Sequence, residues 1–338
     1  MVEQNQVELA PFTTFGIPAT CAHYLEIASE EEALSALSKL ENEPFMVLGG
    51  GSNVLFTSNY NGTIIHNRIK GISRIREDED YVYIRVGAGE VWTDVVEYAL
   101  DQNLGGIENL SLIPGCAGAA PIQNIGAYGI EIKDVLESVT AVLLPNKSIR
   151  VFDHASCRFG YRDSIFKQEL KGRFCITYLV LRLTKKHQLN TGYGAIREAL
   201  NTIPESNWTI RDVSNAVISI RRSKLPDPAK LGNAGSFFKN PVIPTRQFNQ
   251  LQEQFSTIPG YPVSENETKV PAGWLIEQCG WKGKQVGQTG CHALQALVIV
   301  NYGGASGHEI QQHAMNVINS VKERFNIELQ PEVNIIEK

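Results

Sequence analysis

The sequence predicts an α+β fold, because stretches with helical periodicity are interspersed with stretches of strand periodicity. Residues 29–40 place apolar side chains at helical spacing, whereas residues 81–86 alternate apolar and polar side chains with period two. A long amphipathic stripe covers residues 306–325, and a strand pattern over residues 327–336 follows it. We therefore expect a mixed fold whose last strand returns to the first part of the chain.

Each further element has its own signal in chain order. Ser29 and Glu32 form a capping box that opens the first helix, and Ser306 with Glu309 opens the last one. Pro145 lies at the turn of a predicted hairpin over residues 139–151. The remaining predicted elements are strands at 45–48, 63–65, 174–183 and 296–300, helices at 91–102 and 209–222, and a short apolar segment around Trp274.

Length and composition indicate more than one domain. With 338 residues and 43% hydrophobic content, the chain can bury two or three separate cores. Pro226 and Pro228 break the pattern that precedes them and form the best candidate boundary. No apolar run is long enough to span a bilayer, and the N-terminus lacks the pattern of a signal peptide, so we expect a cytoplasmic protein.

Charge and cysteine usage exclude several kinds of site. The net charge of −5 argues against a general nucleic-acid surface, so an anionic ligand would have to meet a local basic site. The six cysteines contain no C-x-x-C pair, which argues against a disulfide framework and against a zinc site. The pairs His154/Cys157 and Cys291/His292 are the only fragments of a ligand pattern, and we expect no metal.

The glycine run after the strand at 45–48 is the first candidate binding element. Gly49, Gly50 and Gly51 can take positive φ and let several backbone N–H groups converge on phosphate oxygens, and Ser52 and Asn53 add short polar side chains. The run lacks the Lys-Ser/Thr ending of a P-loop and the glycine spacing of a Rossmann turn. Taken alone, it is better explained as a tight turn between a strand and a loop.

A second candidate element is the stretch 111–129, which is dense in Gly, Ala and Pro. Ile113, Ile122, Ile125 and Tyr128 would not be left in water, so the stretch is not a flexible linker. Small residues between apolar anchors suit backbone that lies closely against a large flat ligand. The alternative is an ordered connection that packs on its own sheet.

Eight motifs together closely resemble the UDP-N-acetylenolpyruvoylglucosamine reductase family of bacterial peptidoglycan synthesis. The resemblance runs in order through nearly the whole chain, and the joint match is far more specific than any single motif. The motifs are Thr14-Phe-Gly16, Leu48-Gly-Gly-Gly-Ser-Asn-Val-Leu55, Ile113-Pro-Gly115, Gln123-Asn-Ile-Gly-Ala-Tyr-Gly129, Arg158-Phe-Gly-Tyr-Arg-Asp-Ser-Ile-Phe166, Gly235-Ser-Phe-Phe-Lys-Asn-Pro241, Ala272-Gly-Trp-Leu-Ile276 and Pro331-Glu332.

The resemblance implies a two-lobed FAD-binding region of the vanillyl-alcohol-oxidase type, followed by a C-terminal α+β substrate domain. The implied division is lobe 1 at 1–74 with 333–338 returning to it, lobe 2 at 75–225, and the substrate domain at 226–332. FAD would be bound non-covalently, and NADPH would be the co-substrate. The implied flavin-binding residues are Gly49, Gly50, Gly51, Ser52, Asn53, Ile113, Gly115, Asn124, Gly126 and Tyr128.

The chemistry that the resemblance implies is a hydride relay from NADPH through FAD to the enolpyruvyl C3 of the sugar nucleotide, which would yield UDP-N-acetylmuramate. Hydride addition at C3 leaves an enolate at C2, so the site needs positive charge on the carboxylate and an acid that protonates the carbon. Arg162 would grip the carboxylate, Ser236 would be the proton donor, and Glu332 would be its electrostatic partner. Seen singly, Arg162 is a surface cation, Ser236 a turn residue and Glu332 a solvated charge.

Five further residues match the positions with which the family contacts its substrate. The match carries over Tyr193 as the mobile tyrosine of the subclass with an extra loop, and Lys224, Asn240, Lys282 and Gln295 as contacts of the UDP group. Without the resemblance, Tyr193 is an ordinary turn aromatic and the others are surface or rim residues.

Two other functional classes stay open. A flavin oxidase of the same fold would use oxygen and often tether its flavin through His, but no His lies near 49–53 or 113–129. A non-catalytic nucleotide-binding module would not depend on Ser236. The partners we expect are the UDP-sugar and NADPH, without nucleic acid or membrane insertion, and a monomer is favoured.

Overall fold

The computed structural model describes residues 1–40, 43–144 and 146–337. Within these ranges it contains seven α-helices: α1 (Glu30–Lys39), α2 (Trp92–Asp101), α3 (Gly194–Ala199), α4 (Ile210–Lys224), α5 (Thr245–Gln254), α6 (Ala272–Gln278) and α7 (Gly307–Phe325). None of these helices is both long enough and apolar enough to cross a membrane.

The same ranges contain twenty β-strands, most of them short. They are β1 (Val2–Glu8), β2 (Thr20–Ile27), β3 (Phe45–Leu48), β4 (Val54–Phe56), β5 (Tyr60–Asn67), β6 (Ile72–Glu77), β7 (Tyr81–Gly87), β8 (Gly126–Ala127), β9 (Ile130–Glu131), β10 (Leu136–Leu143), β11 (Ser148–Asp153), β12 (Phe174–Thr184), β13 (Gly232–Ser236), β14 (Val242–Pro244), β15 (Tyr261–Pro262), β16 (Glu267–Lys269), β17 (Gln285–Val286), β18 (Thr289–Cys291), β19 (Val298–Asn301) and β20 (Asn334–Ile336).

The chain divides into two compact units, and the division falls next to the prolines that predict a boundary. The first unit comprises Met1–Val7, Cys21–Gly50 and Asn61–Ser223, and the second comprises Glu8–Thr20, Gly51–Tyr60 and Lys224–Lys338. The finer division into lobes at 1–74 and 75–225 and a substrate domain at 226–332 stays a prediction.

The first unit contains a four-stranded sheet of order β1-β2-β5-β3 and a five-stranded sheet of order β11-β10-β12-β7-β6. The five-stranded sheet is antiparallel throughout, whereas β3 and β5 run parallel. Helix α2 buries Trp92, Val95 and Val96 in the core of the larger sheet, because these side chains recur at helical spacing. The sequence predicts this helix and its buried face correctly.

The second unit combines a four-stranded sheet of order β13-β19-β18-β17, a three-stranded sheet of order β14-β16-β15, and the pair β20-β4. Its core is closed by α7, whose predicted capping box is confirmed: Ser306 Oγ accepts from the Glu309 amide, and the Glu309 carboxylate accepts from the Ser306 amide. Asn326 ends this helix in the left-handed conformation.

Three sequence predictions differ from the structure in detail. The strand predicted over 327–336 is wrong in extent, because only Asn334–Ile336 forms β20; Pro331 has no N–H to donate to a ladder. The box at α1 is offset: Ser29 accepts from the Glu32 amide, but the Glu32 carboxylate accepts from the Ala28 amide, one residue earlier. The segment around Trp274 is helix α6. Strands β10 and β11 form the predicted hairpin, whose Pro145 lies outside the described residues.

Candidate active site

The glycine run begins at the end of β3 and lies against the segment around Gly115. A Cβ atom on Gly50 would stand 3.1 Å from Gly115 Cα, and one on Gly49 would stand 3.1 Å from Cys116 Cβ. The two backbones therefore touch without intervening side chains, which is the close approach that glycine permits. The Gly50 amide also hydrogen-bonds the Cys116 thiol, and burial raises the pKa of that thiol.

The rest of the run lies in the second unit. Gly51 has a φ of 58°, and a Cβ there would lie 2.0 Å from the carbonyl oxygen of Phe12, so no larger residue fits. Asn53 donates from Nδ2 to the backbone oxygen of Glu332 at 3.2 Å, and its own carbonyl accepts from the Asn334 amide at 3.1 Å. Asn53 thus contacts the residue that the resemblance places in catalysis.

The segment 111–129 contains an unusual density of left-handed backbone. Leu112, Asn124 and Tyr128 have φ values of 58°, 45° and 49°, although none of them is glycine. Such conformations cost free energy and persist only where the surroundings impose them, and they concentrate at ligand-binding sites. Ile113 packs on the core of the unit, so the segment is both strained and anchored.

The Asn124 side chain is committed to the protein itself. It is fully buried, donates to Glu131 Oε2 and to the Gly160 carbonyl at 3.0 Å each, and accepts from the Lys133 amide. Only its backbone can therefore serve a ligand directly. The side chain instead holds the loop in shape.

The chemistry of the donor set fits the FAD that the resemblance implies. The glycine run supplies backbone N–H groups without Cβ atoms, which suits a pyrophosphate. Lys70, Arg68 and Glu90 all act on the Cys116 thiol, and Lys70 pairs with Glu90 at 3.3 Å, so Arg68 supplies the positive charge in excess near Gly50. The segment 111–129 is rich in glycine and alanine, which lets a large flat ring such as isoalloxazine approach its backbone closely.

Arg162 holds the segment 111–129, which we call the flavin segment because the resemblance assigns flavin-binding residues to it. Its Nη2 donates to the Gly126 carbonyl at 2.6 Å, and its Nη1 donates to the Asn124 carbonyl at 3.3 Å. Arg162 itself has a φ of 53°. The two carbonyls fix the orientation of the guanidinium, which carries five N–H groups in all.

Arg221 is a functional candidate that the sequence analysis missed. It lies on α4, its Nε is buried without a hydrogen-bond partner among the described residues, and it faces Tyr128 and Arg162. Burial lowers the pKa of Arg221, and the positive charge of Arg162 lowers it further. Two neighbouring guanidinium groups form a local concentration of positive charge, which suits an anionic ligand. The only signal in the sequence was the basic end of this helix.

Ser236 and Glu332 lie close together in the second unit. Ser236 is exposed at the end of β13, between Gly235, whose φ is 70°, and the buried Phe237. The Glu332 amide donates to the Phe237 carbonyl at 2.7 Å, and the flanking residues Phe238 and Pro331 form an isolated bridge. The two predicted catalytic groups therefore come from strands of chain that pair directly.

The four residues assigned to the UDP group all belong to the second unit, and each has an identifiable partner, which for the Lys224 backbone is the His292 ring. Asn240 Oδ1 accepts from the Ala272 amide at 3.0 Å and so caps the start of α6. Lys282 Nζ pairs with Glu277 Oε1 at 2.9 Å, and Gln295 accepts from the Val298 amide through its backbone. Lys224 is the exposed last residue of α4.

Tyr193 precedes α3 and is 57% exposed, so it can move without disturbing the core. Its ring stands edge-on to that of Tyr128, with 5.5 Å between centroids. The structure therefore brings the predicted mobile tyrosine next to a predicted flavin residue.

His66 is a second residue that the sequence analysis missed. It lies buried on β5 beside Leu48, its Nδ1 is 2.5 Å from Tyr24 Oη, and its ring hydrogen-bonds the Gly49 backbone. Burial lowers the pKa of His66. A single histidine on an apolar strand gives no signal of this contact. Elsewhere, no group of three His, Cys, Asp or Glu among the described residues could hold a metal ion.

Comparison with known proteins identifies the family of this chain. A family model described as UDP-N-acetylenolpyruvoylglucosamine reductase, C-terminal domain, matches residues 227–336, and one described as FAD binding domain matches residues 21–152. Proteins named UDP-N-acetylenolpyruvoylglucosamine reductase are 48% identical in Flavobacterium johnsoniae, 47% in Chromobacterium violaceum and 45% in Pseudomonas aeruginosa. Each match covers 98% of this chain and between 98% and 99% of the relative.

A solved structure supports the fold. The crystal structure of UDP-N-acetylenolpyruvylglucosamine reductase from Thermus caldophilus matches with a TM-score of 0.67 at 23% identity and covers 99% of both chains. At this identity the match bears on the fold alone. The full-length relatives and the two family models together show that this chain belongs to the UDP-N-acetylenolpyruvoylglucosamine reductases, a family of flavoprotein oxidoreductases.

Proposed function

We propose that this chain reduces the enolpyruvyl group of UDP-N-acetylenolpyruvoylglucosamine with NADPH to give UDP-N-acetylmuramate. The observation that carries the proposal is the pairing of the segments that contain Ser236 and Glu332, through the Glu332 amide and the Phe237 carbonyl. Family membership supplies the substrate. When bound, FAD supplies the hydride chemistry by accepting hydride from NADPH and delivering it to the substrate C3.

The task of Ser236 is to protonate C2 after hydride has reached C3. A serine hydroxyl is a very weak acid, so it acts only where neighbouring groups stabilise its conjugate base or return its proton. Ser236 is exposed and therefore accessible to substrate, and Glu332 directly follows Pro331, which forms an isolated bridge with Phe238. Glu332 orients the hydroxyl and adjusts the charge around it.

The arginines of the first unit stabilise the negative charge that develops on the substrate during the reaction. Charge grows on the substrate carboxylate as the enolate forms, and a preorganised guanidinium stabilises it without reorganisation. Arg162 is preorganised, because two backbone carbonyls fix its orientation. Arg221 adds a second positive charge beside it.

The remaining assignments concern the nucleotide. Lys224 and Lys282 supply positive charge for the diphosphate, and Asn240 and Gln295 supply amide groups for the uridine. Tyr193 closes over the diphosphate, which its exposure and the glycines on either side allow. We further propose that the protein acts in the cytoplasm as a monomer with no nucleic-acid partner, since its two substrates are small soluble nucleotides.

Stopped-flow measurement of the two half-reactions tests the proposal. Ser236→Ala should let NADPH bleach the flavin at nearly the wild-type rate, because this step needs no proton donor for C2. Reoxidation by the enolpyruvyl substrate should fall by about 10²–10⁴-fold, the contribution of a general acid. Ser264→Ala, which alters an exposed serine elsewhere in the same unit, serves as the control.

Two outcomes would contradict the proposal. Reoxidation of Ser236→Ala at the wild-type rate would show that the proton comes from another group. Rapid reoxidation of the wild-type flavin by oxygen, with none by the sugar nucleotide, would favour a flavin oxidase instead.

A further inference from the structure

Asn109 is a buried side chain that joins two separate segments of the first unit. It lies fully buried in a short 3-10 turn, Glu108–Leu110. Its Nδ2 donates to the Tyr128 carbonyl at 3.1 Å and to the Asn190 carbonyl at 2.9 Å. The first carbonyl belongs to the flavin segment 111–129, and the second lies three residues before Tyr193.

The same two segments meet at further points. Asn190 Nδ2 donates in return to the Gly129 carbonyl at 3.3 Å, and a Cβ on Gly129 would stand only 3.0 Å from that nitrogen. The rings of Tyr128 and Tyr193 meet edge to face. The side-chain amides of Asn109 and Asn190 therefore link the segments of the two tyrosines, and we call these hydrogen bonds the amide bridge.

The bridge acts on a residue whose backbone needs support. Tyr128 has a φ of 49°, a conformation that a bulky residue keeps only where its surroundings impose it. The amide on the Tyr128 carbonyl is such a constraint. Asn109 Oδ1 has no hydrogen-bond partner among the described residues. The buried side chain therefore contributes through the two bonds that its Nδ2 donates.

We propose that Asn109 is a positioning residue that couples the flavin segment to the segment carrying Tyr193, so that the position of Tyr193 over the nucleotide is set from the flavin side. The inference rests on the proposed function, because it takes Tyr193 as a substrate-binding residue. The alternative is that the bridge stabilises the fold and has no effect on substrate.

Hydrogen exchange in the FAD-loaded protein tests the bridge itself. Asn109→Asp keeps the size of the side chain but replaces its donor with an acceptor, and Asn190→Ala removes the return bond from Asn190 Nδ2 to the Gly129 carbonyl. Both should raise exchange of amides in residues 187–194 by roughly three- to tenfold, the equivalent of one hydrogen bond. Asn201→Ala, at an exposed position after α3, should leave it unchanged. Unaltered exchange in Asn109→Asp overturns the coupling, and Asn109→Ala, which removes both donated bonds without adding an acceptor, decides if Asn109→Asp does not fold.

A double-mutant cycle then separates positioning from a merely structural role. Asn109→Asp, or Asn109→Ala if the former does not fold, should raise the KM for the sugar nucleotide severalfold and leave the rate of flavin reduction by NADPH unchanged. In the Tyr193→Phe background the same substitution should raise this KM by less than about twofold. The Tyr193 hydroxyl, which the substitution would misplace, is already absent there. Full additivity overturns the positioning role, as does an unchanged KM in Tyr193→Phe alone. Failure of the proposed function is a different result: the wild-type protein would then not oxidise NADPH in the presence of this substrate.

Discussion

The side-chain amide of Asn53 donates a hydrogen bond to the backbone oxygen of Glu332 at 3.2 Å, although the two residues are 279 positions apart. Asn53 ends the glycine run, and Glu332 pairs with the segment of Ser236. The second unit therefore contains a direct link between the element proposed to hold the flavin and the proposed catalytic carboxylate. A substitution of Asn53 is therefore expected to affect both flavin binding and the catalytic role of Glu332.

Asn53→Asp should weaken FAD binding and also slow reoxidation by substrate, because it replaces the donor to Glu332 with an acceptor. The lost bond, with one acceptor facing another, is worth about 1–3 kcal/mol. Fluorescence titration with FAD and stopped-flow reoxidation measure the two effects. Asn59→Asp, an exposed position in the same unit, is the control. If reoxidation is normal once FAD is saturating, the link has no part in catalysis.

Gly51→Ala should destabilise the second unit by more than the cost of a left-handed alanine, which is about 1–2 kcal/mol. The added Cβ would also lie 2.0 Å from the Phe12 carbonyl oxygen. Gly280→Ala is a matched control, because Gly280 has a φ of 75° with no atom within 4 Å of its Cβ position. Urea unfolding compares them, and equal losses would show that the contact with Phe12 relaxes without cost.

Arg221→Met should weaken an anionic ligand, because it removes one of two neighbouring positive charges and keeps the length of the side chain. We expect either the Kd of FAD or the KM of the sugar nucleotide to rise about tenfold, a typical effect of a charged hydrogen bond. Arg222→Met changes an exposed arginine on the same helix and should raise neither the Kd of FAD nor the KM of the sugar nucleotide. A loss of stability with both constants unchanged would make Arg221 structural.

His313 should make the second unit sensitive to acid. It is buried in α7, with Nδ1 3.0 Å from Thr289 Oγ1 and Nε2 3.5 Å from Cys291 Sγ, and burial lowers its pKa from 6.5 to about 4. As the pH falls, the imidazole is protonated in the unfolded chain before it is protonated in the folded one. The stabilisation that the neutral His313 gives to the folded state is therefore intact above pH 6.5 and is lost between pH 6.5 and 4. The loss in free energy of unfolding amounts to roughly 3 kcal/mol.

Unfolding of His313→Asn between pH 4 and 7 checks this. Its stability should fall less steeply with pH than that of the wild type, whereas the exposed His308→Asn on the same helix should follow the wild type. Parallel curves for all three proteins would contradict the assignment.

FAD should leave the protein on acid precipitation, with the yellow colour in the supernatant. Cys116 and His66 both lie beside the glycine run. Burial raises the pKa of the Cys116 thiol, so little reactive thiolate is present at neutral pH, and the His66 ring is engaged by Tyr24 Oη and the Gly49 backbone. Colour retained in the pellet would indicate a covalent flavin and favour the oxidase alternative.

Much of the fold follows from the sequence because its causes are local. The capping box of α7, the buried face of α2 and the strand before Gly49 each depend on residues within a few turns or a few positions, and all three are found as predicted. The strand over 327–336 was overestimated, because alternation of side chains does not reveal whether a partner strand is present.

The site depends on contacts that no periodicity encodes. Asn53 with Glu332, Arg221 with Tyr128, and Asn109 with Asn190 join residues that are far apart in sequence, and each link involves a polar group that looks ordinary alone. The sequence by itself determined the elements, the glycine run and, through its motifs, the family. Only the tertiary structure decided which buried amides and cations lack ordinary partners, because burial and hydrogen-bond satisfaction are properties of the packed chain.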